Sequence, residues 1–326
     1  MNKIFDKFIS PNNGKFLEKK DENLFDGELE FDINDSIPNL TYPKNLNQID
    51  LEAKNFYEGR ADAYDKYLHL TFQTYNENEE EVRSKMIDLL DLKNDFKVLE
   101  VACGTGRDSV ILDKRLSDKA ELHLTDISFD MIKKAKKKLE KSNSQIFYSL
   151  SNALHLPYPE NYFDAFYSFG AVGEFSDKKQ FFKEVVRVCK KGAKVVVGDE
   201  NLPIWQKETL FGKILSNYNK QFLAEVPFKD LPIESREVKC QWIIGGVFYL
   251  IDFRVGEGEP YANFDFEIPG AKGGTHKTRY FGTLEGVKEE TANLAWKAST
   301  KTGQSMHKWL DELVKKEASK ILEKKK

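Results

Sequence analysis

The sequence predicts an α/β fold, a doubly wound sheet of seven strands, parallel where strands and helices alternate and covered by helices on both faces. Three observations carry the prediction. Strands and helices alternate from Lys97 to Val197, with apolar positions switching between short continuous runs and helical spacing. A glycine loop, Gly104-Thr105-Gly106, follows the first of these strands. Two more strand-like runs, Glu237–Trp242 and Val247–Val255, come after a helical stretch.

Residues 1–50 are polar and broken by Pro11, Pro38 and Pro43, which predicts an irregular arm with one short hairpin around Gly27. From 51 to 95 the pattern is helical: Phe56, Tyr64, Tyr67, Leu68 and Phe72, then Val82, Met86, Leu89 and Leu90, a helical lid. The core, 96–200, holds strands at Lys97–Val101, Glu121–Thr125, Gln145–Leu150, Phe163–Phe169 and Ala193–Val197. Between them lie helices at Arg107–Leu116, Ser128–Leu139 and Lys178–Cys189. Residues 201–255 complete this main domain, with a helical stretch from Trp205 to Phe222 before the last two strands. Residues 256–326 form a separate appendage: a loop over Gly256–Thr275, a strand from residue 277, and helices at Lys288–Thr300 and Ser305–Leu322.

The 326 residues are 40% hydrophobic and 32% charged, with a net charge of −3, which suits a globular chain and gives no general attraction to nucleic acid. Acids outnumber lysines in residues 1–50 and lysines outnumber acids in 288–326, where Lys324-Lys325-Lys326 reads as a solvated helix end or a weak anion patch. The three cysteines, 103, 189 and 240, show no paired spacing, so neither a zinc site nor a disulfide framework is expected and a reducing, cytoplasmic setting is. The N-terminus has no signal-peptide core. The most apolar run, Trp242–Phe253, is too short to span a bilayer.

Function is written in residues 98–108, Val-Leu-Glu-Val-Ala-Cys-Gly-Thr-Gly-Arg-Asp. Gly104 and Gly106 allow a sharp turn and a ligand's close approach to the backbone. A dinucleotide fingerprint would need a third glycine at 109, where the chain has Ser109, so a ligand without a pyrophosphate fits better. Glu100, inside an apolar strand, needs a partner: a cationic amino-acid ligand or the loop's own amides. Asp126, at the carboxyl end of the second strand, suits a ribose diol. As an N-cap it has a competitor in Ser128.

Residues 98–106 resemble motif I of the class I S-adenosylmethionine-dependent methyltransferases, and Asp126 resembles the acidic end of their second strand. Asn152-Ala153 and Leu156-Pro157-Tyr158-Pro159 are similar to the segment these enzymes place over adenine. Arg187 to Gly192 resembles their turn before strand five. The match covers about residues 55–200 and is nearest to the ubiquinone/menaquinone-biosynthesis subgroup. It implies a Rossmann-like sheet and S-adenosylmethionine as cofactor. It also implies that Glu100, Ala102, Cys103, Gly104, Thr105 and Gly106 line the methionine portion and that Asp126 holds the ribose. Ile127 and Met131 would pack on adenine, Asn152 and Ala153 would reach its edge, and Phe169 would also touch the cofactor. Asn152 departs from the aspartate common there. Tyr64 resembles a tyrosine folded over the cofactor, and equally reads as a helix anchor.

Methyl transfer from a sulfonium needs alignment and desolvation more than a dedicated nucleophile. Glu174, His155 and His276 are candidate bases, and none is assigned. Strand four ends Tyr167-Ser168-Phe169-Gly170-Ala171, without the Asn/Asp-Pro-Pro-Tyr of base N-methylation. Phe169, Phe175, Trp205, Phe211, Tyr218, Phe222 and Phe228 are expected near a flat or greasy small-molecule acceptor. A macromolecular acceptor is the second reading within the enzyme class. The segment from Glu30 to Leu40 faintly resembles a zinc-ribbon module without its cysteines. Thr302 to Leu310 resembles part of a ribbon-helix-helix module, which implies a homodimer through the C-terminal segment. From that comes a rival from another class: a DNA-binding or scaffold protein with a vestigial methyltransferase fold.

Overall fold

The computed structural model describes residues 5–269, 275–281 and 288–323, which fall into two compact units, Met1–Pro260 and Tyr261–Lys326. The first unit opens with β1 (Glu18–Lys20), β2 (Asn23–Phe25), β3 (Glu30–Phe31), β4 (Ile33–Asn34) and β5 (Ile37–Pro38). Four helices follow: α1 (Gln48–Tyr57), α2 (Ala61–Tyr67), α3 (His69–Thr74) and α4 (Glu79–Asp88). The alternating core comprises β6 (Lys97–Val101), α5 (Arg107–Arg115), β7 (Glu121–Asp126), α6 (Phe129–Lys138), β8 (Gln145–Leu150), β9 (Phe163–Phe169), α7 (Lys178–Val188) and β10 (Cys189–Glu200). Then come α8 (Leu210–Tyr218), β11 (Ser235–Ile243) and β12 (Phe248–Val255).

The seven-stranded sheet runs β11-β12-β10-β9-β6-β7-β8. The five strands of the alternating core pair in parallel, whereas β12 is antiparallel to both β10 and β11. The sheet is therefore parallel over the alternating stretch, as predicted, and mixed at its last two strands. The connection explains why: Ile244, Gly245 and Gly246 all take left-handed backbone angles, and a hairpin this tight leaves β11 and β12 no crossover.

Strand alternation assigns the two faces. Val98, Leu122, Leu124, Ala165 and Val196 pack with Met86 and Ile87 of α4, Ile111 and Leu112 of α5, and Ile132 and Ala135 of α6. Leu99, Val101, Phe166, Val195 and Val197 pack with Phe181, Phe182, Val185 and Val188 of α7. That second face is also covered by the arm predicted to be irregular. Phe8, Leu24, Phe31 and Leu40 are fully buried there, and Leu40 N donates to Leu150 O at the sheet's edge. The hairpin around Gly27 is present between β2 and β3. Among the described residues no cluster could hold a metal, and the zinc-ribbon likeness finds no ligand set here.

In the second unit, α9 (His276–Phe281) is helical where a strand was expected from residue 277, and residues 282–287 lie outside the described residues, as does Lys324–Lys326. Helices α10 (Glu289–Thr302) and α11 (Met306–Glu323) are joined through left-handed Gly303.

Candidate active site

The loop after β6 is a run of left-handed turns. Ala102, Gly104 and Gly106 have φ of +55°, +52° and +78°. Ala102 bears a strain that only a surrounding network would hold in place. The two glycines differ in purpose. A Cβ on Gly104 would sit 3.9 Å from the Tyr64 ring, an ordinary contact, so the Tyr64 ring covers this glycine. A Cβ on Gly106 would lie 2.9 Å from the Ala135 Cβ, so this glycine lets α6 approach the loop.

Glu100 shares a strand face with Val98, the face that α5 covers, and there it meets Ser109: the hydroxyl donates to Oε2 at 2.5 Å. The residue that breaks the dinucleotide pattern is thus the partner Glu100 needed. Burial, with the nearby Asp108 charge adding to it, pushes the Glu100 carboxyl well above the usual range. Glu100 and Gly106 are not among the residues that line the two chambers described below. They support the loop from beneath.

Asp126, 8% exposed, accepts from Gly104 N at 2.8 Å through Oδ2 and from Ser128 N at 2.9 Å through Oδ1. Ser128 caps α6 through Met131 N, so Asp126 is free of that duty. Burial pushes its carboxyl up to about 6. Each oxygen keeps a lone pair. Asn152 is fixed on both sides: its Oδ1 takes Leu154 N at 3.0 Å and its Nδ2 reaches Asp50 Oδ2 at 3.3 Å. Arg187 donates to the carbonyls of Leu156 and Tyr158, which pins the Leu-Pro-Tyr segment.

These parts enclose two adjoining chambers. The inner one is lined by Asp50, Tyr57, Tyr64, Ala102, Gly104, Asp126, Ile127, Met131, Asn152, Ala153, Phe169, Glu174 and Phe175. The outer cleft, about 570 Å³, shares Tyr57, Tyr64, Ala102, Gly104, Phe169 and Glu174 with it. It adds Cys103, Thr105, Phe56, Phe72, Asp199, Glu200, Tyr218, Gln221 and Phe248. Of the expected aromatic wall, Phe169, Phe175 and Tyr218 line a chamber. Trp205 packs on Trp242, Phe222 is buried beside Phe248, and Phe211 and Phe228 face solvent. His155 meets the Tyr42 ring edge-on and is not among the residues lining either chamber, while His276 belongs to the other unit.

A family described as "methyltransferase domain" matches residues 98–192, the stretch that carries this loop, Asp126, Asn152 and the Arg187 turn. Residues 98–192 are a class I methyltransferase domain. The likeness implies S-adenosylmethionine as its cofactor. The chain is 29% identical over 154 residues to a demethylmenaquinone methyltransferase of Lactiplantibacillus plantarum, covering 43% of this chain and 65% of that protein. It is 32% identical over 115 residues to a ubiquinone/menaquinone biosynthesis C-methyltransferase of Wigglesworthia glossinidia brevipalpis, covering 34% and 46%. These matches span roughly half the length of the curated relatives. A solved phosphoethanolamine N-methyltransferase 2 of Haemonchus contortus superimposes with a TM-score of 0.49 at 12% identity, covering 68% of this chain and 62% of that one.

The methyltransferase domain's inner chamber suits the cofactor on chemical grounds. Asp126 offers two free lone pairs to a diol, Ile127, Met131, Ala153 and Phe175 offer an apolar slot, and Asp50 with Asn152 forms its polar edge. Several participants were not anticipated from sequence. Asp50, in α1, is 4% exposed and accepts from Asn47 Nδ2 (2.6 Å) and Ser176 Oγ (3.0 Å) as well as Asn152. Arg83 of α4 donates to Asp108 (2.6 Å) and Glu79 (2.8 Å), and Arg107 bridges Glu79 and Asp65. Asp65 also accepts from Thr105 Oγ1 at 2.9 Å. This network ties the helical lid to the glycine loop.

Proposed function

We propose that the chain is an S-adenosylmethionine-dependent methyltransferase that acts on a small organic acceptor. The observation that carries this reading is the continuity of the two chambers: a cofactor in the inner one faces directly into a cleft of about 570 Å³, a size fitted to a small molecule. The bound cofactor supplies an electrophilic methyl group on a sulfonium. The chain's own residues hold and orient. Asp126 takes the ribose, Ala102 and Gly104 present backbone to the methionine portion, and Asn152 and Ala153 sit at the adenine edge. Tyr64 closes over the loop, and Phe169, between the chambers, excludes water from the path. Carboxylates in the outer cleft disfavour a polyanionic acceptor. The free thiols of Cys103, Cys189 and Cys240 support a reducing, cytoplasmic setting. Exposed Leu294, Trp296, Leu313 and Val314 on α10 and α11 support a homodimer through this unit, to be checked by sedimentation.

The test is to incubate the chain with methyl-labelled S-adenosylmethionine and separated cell fractions. Label in the small-molecule fraction, lost with Asp126→Ala, supports the reading. Label confined to protein or nucleic acid refutes the small acceptor.

A further inference from the structure

The outer cleft holds three carboxylates without a counter-ion. Glu174, Asp199 and Glu200 all line it, and among the described residues none of them makes an ion pair. Asp199 accepts backbone amides from Gly173 and Glu200. Glu174 Oε1 accepts from the Tyr57 hydroxyl at 3.0 Å, and Glu200 Oε2 accepts from Asn219 Nδ2. That leaves Glu174 Oε2 and Glu200 Oε1 without a partner among the described residues, and neither is sealed from the cleft. Arg83 and Arg107 line the same cleft, and both are held in ion pairs with Asp108, Glu79 and Asp65, while Lys178 donates to Gly173 O. Carboxylates gathered in a half-buried cleft strongly favour a cation that enters with its ligand.

Two further features of the same cleft point to a polar ligand. Gln221 holds a buried amide nitrogen, Nε2, with no hydrogen-bond partner among the described residues, and Asp108, only 6% exposed, is engaged by Arg83 and the Tyr167 hydroxyl. The remaining wall is aromatic, with Tyr57, Tyr64, Phe169 and Tyr218, and ring faces attract a cation as carboxylates do.

We propose that the acceptor is a small amine, bound as its ammonium form between Glu174 and Glu200 and methylated on nitrogen. The inference rests on the methyltransferase reading above and narrows its substrate class. The amine first gives a proton to the Glu174 carboxylate, which frees the nitrogen lone pair. That pair forms the bond to the methyl carbon while the carbon–sulfur bond breaks with its electrons left on sulfur. Positive charge thus moves from sulfur to nitrogen, and the methylated ammonium gives its second proton to Glu200 or leaves charged. Burial holds the carboxyls of Glu174 and Glu200 up at about 7, a suitable range for this exchange at neutral pH.

The experiment uses the full chain saturated with S-adenosylhomocysteine and three probes of one shape: phenethylamine, 2-phenylethanol and phenylacetate. Calorimetry should show binding of the amine alone, weakened about tenfold or more in Glu174→Gln and further in Glu174→Gln/Glu200→Gln. Circular dichroism confirms that the variants are folded, and formation of N-methylphenethylamine supplies the second readout. Equal binding of the alcohol, preference for the acid, an unchanged double variant, or no amine binding by a chain that binds S-adenosylhomocysteine overturns the proposal. A wild-type chain that fails to bind S-adenosylhomocysteine refutes the underlying reading instead.

Discussion

Replacing Gly106 with Ala separates two costs. At φ +78° an alanine pays the left-handed penalty, about 1–2 kcal/mol. Its Cβ would also lie 2.9 Å from the Ala135 Cβ and 3.0 Å from the Ala135 Cα, inside van der Waals contact, and overpacking of this kind costs about 1–3 kcal/mol. The sum, about 2–5 kcal/mol, should be measured by urea unfolding. Gly104→Ala is the control: its φ of +52° carries the backbone penalty, but its nearest neighbour at 3.9 Å adds nothing, so about 1–2 kcal/mol is expected. Ala135→Gly removes the obstructing methyl and alone costs about 1 kcal/mol in a helix. In Gly106→Ala/Ala135→Gly the part of the steric cost due to the Ala135 methyl should be recovered while the contact with the Cα remains, leaving a favourable coupling of about 1 kcal/mol. Strict additivity of the two substitutions, or equal losses at Gly104 and Gly106, would refute the assignment of Gly106 to helix packing.

Glu174→Gln should stabilise the ligand-free chain at alkaline pH. Burial raises the folded carboxyl from 4.5 to about 7, so the wild type loses stability as pH rises through that window, up to about 3 kcal/mol above pH 8. Thermal melts at pH 4.5 and 8.5 check it: the variant's advantage should appear only at the higher pH, and an equal advantage at both contradicts it. Arg83→Met leaves Asp108 and Glu79 without their shared cation, and should cost about 3–5 kcal/mol in urea unfolding. A change below 1 kcal/mol would show that the lid does not depend on that pair.

The alternating core was legible because each strand and helix there declares itself by its own period: β6, β8 and β9 match the predicted bounds of Lys97–Val101, Gln145–Leu150 and Phe163–Phe169. The arm was not legible. Its five short strands are two or three residues each, too brief to show a period, and Phe8, Leu24 and Phe31 declare their burial only through the sheet they cover. Asp126 and Asn152 could be read because strand ends are fixed in sequence relative to the glycine loop. Asp50 and Arg83 could not, because helices bring them back to the site from distant parts of the chain and no local spacing marks such a return; Glu200 ends β10, three residues past the predicted strand end at Val197. Glu100 was flagged correctly as needing a partner, yet the partner, Ser109, had been read only as a missing glycine. The direction of β12 could not be read because it depends on the backbone angles of Ile244 to Gly246, and the pattern of apolar residues does not carry them.

The central claim is that Asp126 and the inner chamber hold S-adenosylmethionine, and calorimetric titration of S-adenosylhomocysteine into the full chain and into Asp126→Ala tests it most directly. Two charge-assisted hydrogen bonds to a diol predict saturable binding by the wild type and a loss of about tenfold or more in the variant. Absence of binding to the wild type, or equal binding by Asp126→Ala, would contradict it.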